Sequence, residues 1–517
     1  MELFLTVAAF VGLGMLIWDC LEVGRNDAAN LVNAVFGARV LRRRTAVYIA
    51  GVAVVLGATF GSGVLETARK GIFDPSLLTF QMAMAIYISV YFVDTLLLYG
   101  FSGFGMPVST TACLVFELLG AALFLAGPQV IGWAKVRTVI MAIIASIIIS
   151  GVAGFLIQRV FRGGIRDKAQ DHVTVLLHGP WIAGAMLTFL AWFMILKGMD
   201  AIPAISHFKS YLSSAEAPYR MPVFLLTLWA GLTLAVHLVL TSMGERGTRY
   251  LFHFTAVLGM ICMAFAFGQN DLANCAGPGL SGLWLWMHRD TTTTLATRIE
   301  IPMWVLCLCG VLMAAGMATR YAQRVTRAEV NTGSQFDHVA LYAPGWTRAL
   351  ARLIVRFRRP DPQMDLAPRP ELTATGKKLH YDTLRASVIT AVAASVIAFA
   401  SSKGLPVSTT YVAFAAVIGT GMADRVFTRG DADLKLGRAI WVVSCWFISP
   451  VIAIVGTGLV ALGVYHLGVA GVVGGLAINL VIRRLIRSRA DAHERRYHEA
   501  FEHRSGTMGL DSDTMDG

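Results

Sequence analysis

Continuously apolar stretches of about 20 residues recur along this chain, and no other feature of the sequence limits its fold as strongly. Of the 517 residues, 56% are hydrophobic and 15% are charged, and the mean hydropathy is +0.62. A helix of about 20 apolar residues is long enough to span the hydrocarbon core of a bilayer. Polar and apolar residues do not alternate within these stretches, so the stretches predict helices rather than barrel strands.

The sequence therefore predicts an all-α, polytopic membrane protein with roughly 11–13 membrane elements. Uninterrupted spans are predicted near residues 3–20, 46–65, 80–99, 138–158, 183–200, 222–241, 252–268, 301–318, 383–400, 438–463 and 467–482. Two further elements are predicted to be broken or re-entrant helices. The first span follows Glu2 without a basic segment, so we interpret it as a retained span of a multi-pass cell-membrane protein and not as a cleaved signal peptide.

The net charge of +12 does not indicate a nucleic-acid partner. Lysine and arginine lie in the connections between spans and in the tail, where the positive-inside rule and anionic lipid account for them. The seven cysteines form no C-x-x-C pair and lie within or beside apolar segments, which is typical of small buried side chains. We expect a lipid bilayer as partner and no cofactor, and the sequence leaves a homo-oligomer open.

Two polar motifs each occur twice in this apolar background. Residues 24–30 (GRNDAAN) correspond to residues 268–274 (GQNDLAN), and residues 107–111 (PVSTT) correspond to residues 406–410 (PVSTT). Polar groups inside a membrane are costly, and they usually mark the path of a solute. A duplicated set predicts a transporter-like architecture of two repeats with the site between them.

The spacing of the motifs defines the predicted organisation. The first pair starts 244 residues apart and the second pair 299 residues apart, so the second half must contain 55 extra residues, which we place at residues 320–378. The predicted units are a first repeat (1–160), connecting spans and loops (161–250), a second repeat (251–465) and a last span with a charged tail (466–517). Arginines at 39 and 42–44 follow the first motif closely but have no close counterpart after the second, which favours repeats of inverted topology.

The predicted insertion contains one amphipathic segment. Arg348, Arg352 and Arg356 recur every four residues. Another face carries the apolar residues Leu350, Leu353, Ile354 and Phe357. This pattern suits a helix that lies on an anionic membrane surface, although an ordinary solvated connector has similar features.

The P-V-S-T-T motifs predict two oxyanion cradles. Proline cannot continue a helix from upstream but fits its first turn, and serine and threonine are favoured capping residues. Each motif should therefore break its membrane element and start a half-helix, whose free N–H groups and positive dipole end attract an anion. The hydroxyls of both copies would add donors; they belong to Ser109, Thr110, Thr111, Ser408, Thr409 and Thr410. For a single copy, plain helix capping would be a sufficient explanation.

The two cradles are expected to face one pocket, which would bring Thr110 and Thr409 close together. The aspartates of the other motif, Asp27 and Asp271, are expected at the ends of apolar runs. Carboxylate and amide oxygens suit a small cation or a proton relay, and the amides come from Asn26, Asn30, Asn270 and Asn274. The alternative is an aspartate that only caps a helix at the interface.

Together these residues resemble the PiT-type inorganic phosphate transporter family, whose members are cation-coupled symporters built from inverted repeats. The similarity covers roughly residues 20–160 and 255–465 and includes residues 66–74 (ETARKGIFD) and Gly277-Pro278. The resemblance implies that the six cradle residues bind phosphate. It also implies that Asp27, Asn30, Asp271 and Asn274 hold the coupling cation or shape its site, with the two aspartates as ligands if that cation is sodium.

The chain departs from the family pattern at four positions. The family usually has histidine after S-T-T, where this chain has Ala112 and Tyr411. It also usually carries two glutamates, which our alignment places at Val54 and Thr390. These differences leave the anion cradle intact but leave sodium coupling and proton coupling equally open.

The predicted function is secondary active transport of inorganic phosphate across the cell membrane, in symport with sodium or protons and by alternating access, and not an enzymatic activity. A neutral cradle would also accept sulfate or another tetrahedral oxyanion. A phosphate sensor that does not transport is a further alternative. An intramembrane protease that uses Asp27 and Asp271 as an acid–base pair is a third, but it leaves the duplicated hydroxyls without a role.

Overall fold

The computed structural model describes residues 2–60, 72–166, 168, 171–196, 203–214, 217–288, 301–357, 379–428 and 430–508. Within these ranges the regular structure is helical. The sixteen helices are α1 (Glu2–Gly37), α2 (Arg43–Thr59), α3 (Phe80–Gly103), α4 (Thr110–Ala126), α5 (Trp133–Ile165), α6 (His172–Leu196), α7 (Pro203–Leu212), α8 (Arg220–Met243), α9 (Glu245–Met287), α10 (Met303–Met317), α11 (Arg320–Thr332), α12 (Gly345–Phe357), α13 (Thr383–Ser402), α14 (Thr409–Ala423), α15 (Ala432–Leu467) and α16 (Val469–Met508).

The number of membrane elements agrees with the prediction. In the described part of the chain, nine helices are long and apolar enough to cross a membrane, and the pair α10 and α11, bent by 66°, is a broken or re-entrant element. The shorter apolar helices α4 and α14 add two broken elements. The all-α, multi-pass membrane fold is therefore confirmed.

The two halves run in opposite directions. In α9, Trp286 donates a hydrogen bond to Thr6 at the start of α1 (3.1 Å), whereas Gly279 lies against Leu16, further along α1. The helices that carry the two N-D-x-A-N motifs are thus antiparallel. Since equivalent helices of inverted repeats must be antiparallel, the predicted inverted topology is confirmed by this contact pattern.

The halves also interlock. Helix α1 of the first half packs against α10 of the second, and the equivalent helices α9 and α2 pack in the same way. Likewise α4 packs against α15, and α14 against α5. Each half thus supplies part of the surroundings of the other, and the site described below lies where they cross.

Close contacts at two glycines show where the 55 extra residues of the second half are located. A Cβ at Gly57 would lie 2.0 Å from the carbonyl oxygen of Phe265, and one at Gly316 would lie 2.1 Å from that of Leu21. Leu21 and Phe265 are 244 residues apart, as the motifs are, so Gly57 and Gly316 are equivalent positions 259 residues apart. Fifteen of the 55 extra residues therefore precede α10, and 40 follow it. Sequence spacing alone had placed all of them at 320–378.

The basic connections gather at one face of the bundle, which we call the basic face. Arg43 donates to the carbonyl of Met317 where α10 meets α11, and Arg324 of α11 pairs with Asp491 of α16. Helix α12 lies beside the start of α15, where Arg348 pairs with Asp433. Its apolar side chains are exposed, namely Trp346, Leu350, Leu353 and Ile354. The amphipathic helix exists, and its position on a membrane surface stays a prediction; residues 358–378 lie outside the described residues.

Candidate functional site

The N-D-x-A-N motifs lie in the interior of long helices. Asp27 and Asp271 were expected at the ends of apolar runs, but α1 continues to Gly37 and α9 to Met287. The alternative in which each aspartate only caps a helix end is therefore wrong, because both helices continue past the motifs. Both carboxylates are fully buried. A charged group this deep needs partners from other helices.

The P-V-S-T-T segments break their membrane elements as predicted. Gly105 and Gly404 adopt positive φ angles of 66° and 61°, a conformation that glycine tolerates. The chain then closes the preceding helix through matching bonds, Met106 N–H to Phe101 O (2.8 Å) and Leu405 N–H to Ala400 O (3.0 Å). The following prolines prevent the helices from continuing.

A new half-helix starts at each motif. The Ser109 hydroxyl oxygen accepts from the Ala112 N–H (3.0 Å) and caps α4, and the Ser408 oxygen accepts from the Tyr411 N–H (3.1 Å) and caps α14. Each serine therefore performs the capping role that the sequence offered as the alternative. Since only the oxygen is used, the hydroxyl protons can still be donated to another group.

The carboxylate of Asp27 contacts residues of both half-helices. Its Oδ1 accepts hydrogen bonds from Thr410 of α14 (2.5 Å) and from Asn30 one turn away on α1 (2.8 Å). Its Oδ2 lies 3.4 Å from the hydroxyl of Thr110 of α4. Side chains from three helices thus meet at one buried carboxylate.

Asp271 has the corresponding partners with the halves exchanged. Its Oδ2 accepts from Thr409 (2.7 Å), and its Oδ1 accepts from Asn274 (2.5 Å) and Thr111 (3.2 Å). The hydroxyl of Thr110 is also 3.2 Å from Oδ1, so its single proton can be given to either aspartate. Because Thr110 and Thr409 contact the same carboxylate, the starts of the two half-helices lie close together, as the sequence predicted.

Each half also places one backbone carbonyl oxygen beside a threonine of the other half. The Thr111 hydroxyl lies 3.1 Å from the carbonyl of Val407, and the Thr410 hydroxyl lies 3.2 Å from the carbonyl of Val108. Asn274 donates to Thr111 (2.9 Å), and its counterpart Asn30 donates to Thr410 (3.0 Å). The site therefore consists of two nearly identical oxygen clusters related by the pseudo-two-fold axis of the halves.

The asparagines before the aspartates support the loops. Asn26 donates to Ser102 (3.1 Å) and accepts from the backbone N–H of Val108 (3.3 Å). Asn270 donates to the Val407 carbonyl (2.9 Å) and, at 3.3 Å, to Asp271. A residue next to the aspartate points about 100° away around the helix, so only the asparagine three residues later shares its face.

Each oxygen cluster contains one carboxylate and several neutral oxygens. Among the described residues, no group of three or more histidine, cysteine, aspartate or glutamate side chains could hold a metal ion. A single carboxylate with hydroxyl and carbonyl oxygens fits a small monovalent cation better than a divalent one, which usually takes more negative ligands. Threonine hydroxyls can also donate to an anion while their oxygens face a cation.

The histidines expected after S-T-T are replaced in different ways. Tyr411 stacks on Trp446 with ring centroids 4.0 Å apart, so it joins the packing between α14 and α15. Ala112 is buried and contributes its N–H to the cap of α4. Neither residue supplies an ionisable group near neutral pH to the pocket.

Val54 and Thr390, where the alignment placed the family glutamates, are not equivalent positions. The carbonyl of Val54 lies against Gly268, and the carbonyl of Met313 lies in the same way against Gly24, so Met313 is the counterpart of Val54. Thr390 is on α13, where its hydroxyl donates to the helix carbonyl of Ala386 (3.1 Å). Thr390 is therefore not the structural equivalent of Val54, and the alignment at Thr390 was wrong.

Sequence analysis did not identify Asp19, which lies with Asp94 and Glu117 in the apolar helices α1, α3 and α4. All three are fully buried and lie near one another, and the carboxyl groups of Asp19 and Asp94 are within hydrogen-bonding range of each other. It also missed Glu22, which accepts hydrogen bonds of 2.6 Å from both Arg25 and Arg483. Asp19 and Glu22 could have been identified from the sequence, because acidic residues inside an apolar run are costly and usually functional.

Of the family-like segment at residues 66–74, residues 66–71 lie outside the described residues. Phe73 is buried, and the Asp74 N–H donates to the Val130 carbonyl (2.8 Å). This contact joins the start of α3 to the connection between α4 and α5. The second quoted pair, Gly277-Pro278, lies within the continuous helix α9.

Comparisons with known proteins all find proteins described as phosphate transporters or phosphate permeases. The sequence model of the phosphate transporter family matches residues 23–331 and 372–496. A "Putative phosphate permease" of Thermococcus kodakarensis is 28% identical over 472 residues, covering 89% of this chain and 97% of that protein. One of the same description from Pyrococcus abyssi is 26% identical over 461 residues, covering 88% and 96%.

A solved structure described as "The sodium-dependent phosphate transporter" is similar in fold. Its TM-score is 0.64 at 19% sequence identity, and the match covers 89% of this chain and 98% of that one. At this identity the similarity concerns the arrangement of helices.

Proposed function

The chain belongs to the phosphate transporter family, and from this premise we propose that it moves inorganic phosphate across the cell membrane in symport with sodium. The observation that carries the proposal is the exchange of partners at the two aspartates. Asp27 is bonded by Thr410 and Asp271 by Thr111, so each carboxylate depends on the half-helix of the opposite repeat. A motion that separates the repeats would therefore open both clusters together.

Phosphate would bind at the amino-terminal ends of α4 and α14. The donors there are the first N–H groups of each half-helix, with their positive dipole end, and the hydroxyl protons of the cradle residues. These residues are Ser109, Thr110, Thr111, Ser408, Thr409 and Thr410. A dianion would not approach two unneutralised carboxylates, so this arrangement requires bound cations.

Sodium would occupy the two oxygen clusters. The first contains Asp27, Asn30, Thr410 and the Val108 carbonyl, and the second contains Asp271, Asn274, Thr111 and the Val407 carbonyl. When a cation neutralises the carboxylate, the threonine proton is released to point at phosphate. Cation and phosphate then strengthen each other's binding through a shared hydroxyl, and this linkage is reciprocal.

The membrane potential gives a second reason for coupling phosphate entry to sodium entry. A divalent anion that enters a cell with a negative interior is opposed by about 2.3 kcal/mol per charge per 100 mV. Two or more sodium ions moving inward offset this cost. The solved neighbour is described as sodium-dependent, which supports sodium over protons.

The test is uptake of labelled phosphate into proteoliposomes under separately imposed sodium and pH gradients. We expect a sodium gradient to drive uptake at constant pH and a pH gradient to have little effect. Uptake driven only by the pH gradient would overturn sodium coupling. Binding without counterflow would indicate a sensor, and stronger competition by sulfate than by unlabelled phosphate would indicate another oxyanion.

The aspartates are tested by Asp27→Asn and Asp271→Asn, which keep the shape of the side chain and remove its charge. Loss of a charged hydrogen-bonding partner costs about 1.5–3 kcal/mol, so sodium-driven uptake should fall about 10- to 100-fold or more. Asp337→Asn, at an exposed position of the basic face, is the matched control. Normal sodium dependence in either site variant would contradict the assignment.

A further inference from the structure

We propose that a cavity next to the first cradle, on the basic face, is a second oxyanion site, which binds inorganic phosphate on its way between the cradle and the solution. We call it the basic vestibule. Its volume is about 80 Å³, and the polar side chains of its lining include Asn331, Arg324, Arg327, Arg438, His380, His493 and Glu494. This inference rests on the proposed transport of phosphate and adds a site that the duplicated motifs do not predict.

The vestibule touches the cradle through its loop. Residues 103–105 form one wall, and this loop leads directly into the P-V-S-T-T segment at 107–111. Arg438 of α15 donates to the carbonyl of Gly105 (2.5 Å) and to that of Tyr342 (3.2 Å). Arg324 donates to the carbonyl of Gly103 (3.2 Å). Two guanidinium groups thus hold the loop from which the first half-helix starts.

The charges of the vestibule favour an anion. Three guanidinium groups line it, and Arg324 and Arg438 are 7% and 3% exposed. Burial lowers the pKa of His380 to about 3, with the charges of Arg39 and Lys435 adding to the effect, so this imidazole is neutral. Glu494 is the one carboxylate among the lining residues. Arg324 also pairs with Asp491 (2.7 Å), so two carboxylates, Asp491 and Glu494, face three guanidinium groups and one positive charge remains. Guanidinium groups bind tetrahedral oxyanions through paired N–H donors, so this remaining charge is suited to phosphate.

Glu494 occupies the position that an anion would take. It pairs with Arg324 (2.6 Å) and with Arg327 (3.3 Å), and it is carried by α16, which ends the described chain. Phosphate that enters the vestibule would compete with this carboxylate for the same two arginines. Replacing the arginine or the carboxylate should therefore change phosphate affinity in opposite directions, which a purely structural ion pair would not do.

The experiment measures binding of labelled phosphate to the purified full-length protein in detergent. The Asp271→Asn background weakens the cradle, so the remaining binding reports on the vestibule. In this background we expect Arg327→Gln to weaken binding about 10-fold and Glu494→Gln to strengthen it several-fold. Arg320→Gln is the matched control, because Arg320 lies on the same helix, is exposed and does not line the cavity.

The outcomes separate the two proposals. If the wild-type protein transports phosphate but both vestibule variants bind it like the control, the vestibule is not a site. The same conclusion follows if both variants lose binding equally. If opposite shifts occur but no phosphate is transported, the vestibule stands and the proposed transport fails.

Nanodiscs distinguish free phosphate from a lipid headgroup of the same chemistry. Free phosphate should bind equally in phosphatidylcholine discs and in discs with phosphatidylglycerol. Displacement of bound phosphate by phosphatidylglycerol would assign the vestibule to lipid and overturn its place on the transport path.

Discussion

The hydroxyl of Thr410 donates a hydrogen bond to the carboxylate of Asp27, which lies 383 residues earlier in the chain. The same relationship joins Thr111 to Asp271 across 160 residues. Neither repeat can therefore complete an oxygen cluster alone. The duplicated motifs have a common physical cause, since each supplies the donors that the buried acid of the other requires.

The first prediction concerns these crossed hydroxyls. Thr410→Val and Thr111→Val keep the volume of the side chain and remove the donor to a carboxylate, an interaction worth about 1.5–3 kcal/mol. Each should lower the apparent affinities for both sodium and phosphate about 10-fold or more, measured as uptake at varied concentrations of each ion.

The matched control is Thr138→Val on α5, because this exposed hydroxyl donates only to the helix carbonyl of Ala134. An effect on phosphate affinity with unchanged sodium affinity would contradict the shared-hydroxyl mechanism.

The second prediction separates capping from anion binding at Ser109. Ser109→Ala removes both the cap and the hydroxyl and should cost about 0.5–2 kcal/mol of stability, whereas Ser109→Gly loses only a few tenths of a kcal/mol as a cap. If the hydroxyl binds phosphate, both variants should weaken phosphate binding to a similar extent in spite of their different melting temperatures.

Thr79→Ala provides the control, because Thr79 caps α3 by accepting from the Met82 N–H and lies away from the cradle. The same comparison applies to Ser408. Normal phosphate affinity in the glycine variants would leave the serines with a capping role alone.

The third prediction concerns the contact that allows the halves to interlock. A Cβ at Gly268 would lie 2.3 Å from the Val54 carbonyl oxygen, so Gly268→Ala must push α9 and α2 apart and should cost about 1–3 kcal/mol. Gly277 lies on the same helix with no atom within 4 Å of a Cβ, so Gly277→Ala should be neutral or stabilising by up to about 1 kcal/mol. Thermal unfolding of the purified variants compares the two; equal melting temperatures would refute the close packing.

The fourth prediction is an acid sensitivity that originates at His380. The folded protein holds the pKa of this buried side chain at about 3, mainly through burial, whereas an unfolded histidine has a pKa of about 6.5. The unfolded state therefore binds more protons below pH 6.5, and stability falls as the pH decreases. The expected loss from pH 7 to pH 5 is about 2 kcal/mol.

His380→Gln should remove most of this loss, and the exposed His207→Gln should not. Melting temperatures at the two pH values measure both effects. An unchanged acid sensitivity in His380→Gln would assign the effect to other groups.

Local patterns were sufficient for much of the fold. The apolar runs predicted the spans because a bilayer leaves helices as the way to satisfy the backbone. The order glycine, proline, serine predicted the half-helices at Thr110 and Thr409, since each residue type has a defined role at a helix end. Local patterns failed where contacts between helices decide the outcome, as in the uninterrupted helix through Asp27 and the burial of Asp19 beside Asp94.

The sequence by itself determined that this is a membrane protein of two related halves with four polar segments, because hydropathy, duplication and capping are properties of short stretches of chain. Only the tertiary structure decided that the halves cross, that Thr410 serves Asp27 and Thr111 serves Asp271, and that Gly57 corresponds to Gly316. The reason is that residues 160 to 383 positions apart meet only through packing of whole helices, and that packing is set by contacts which no local pattern records.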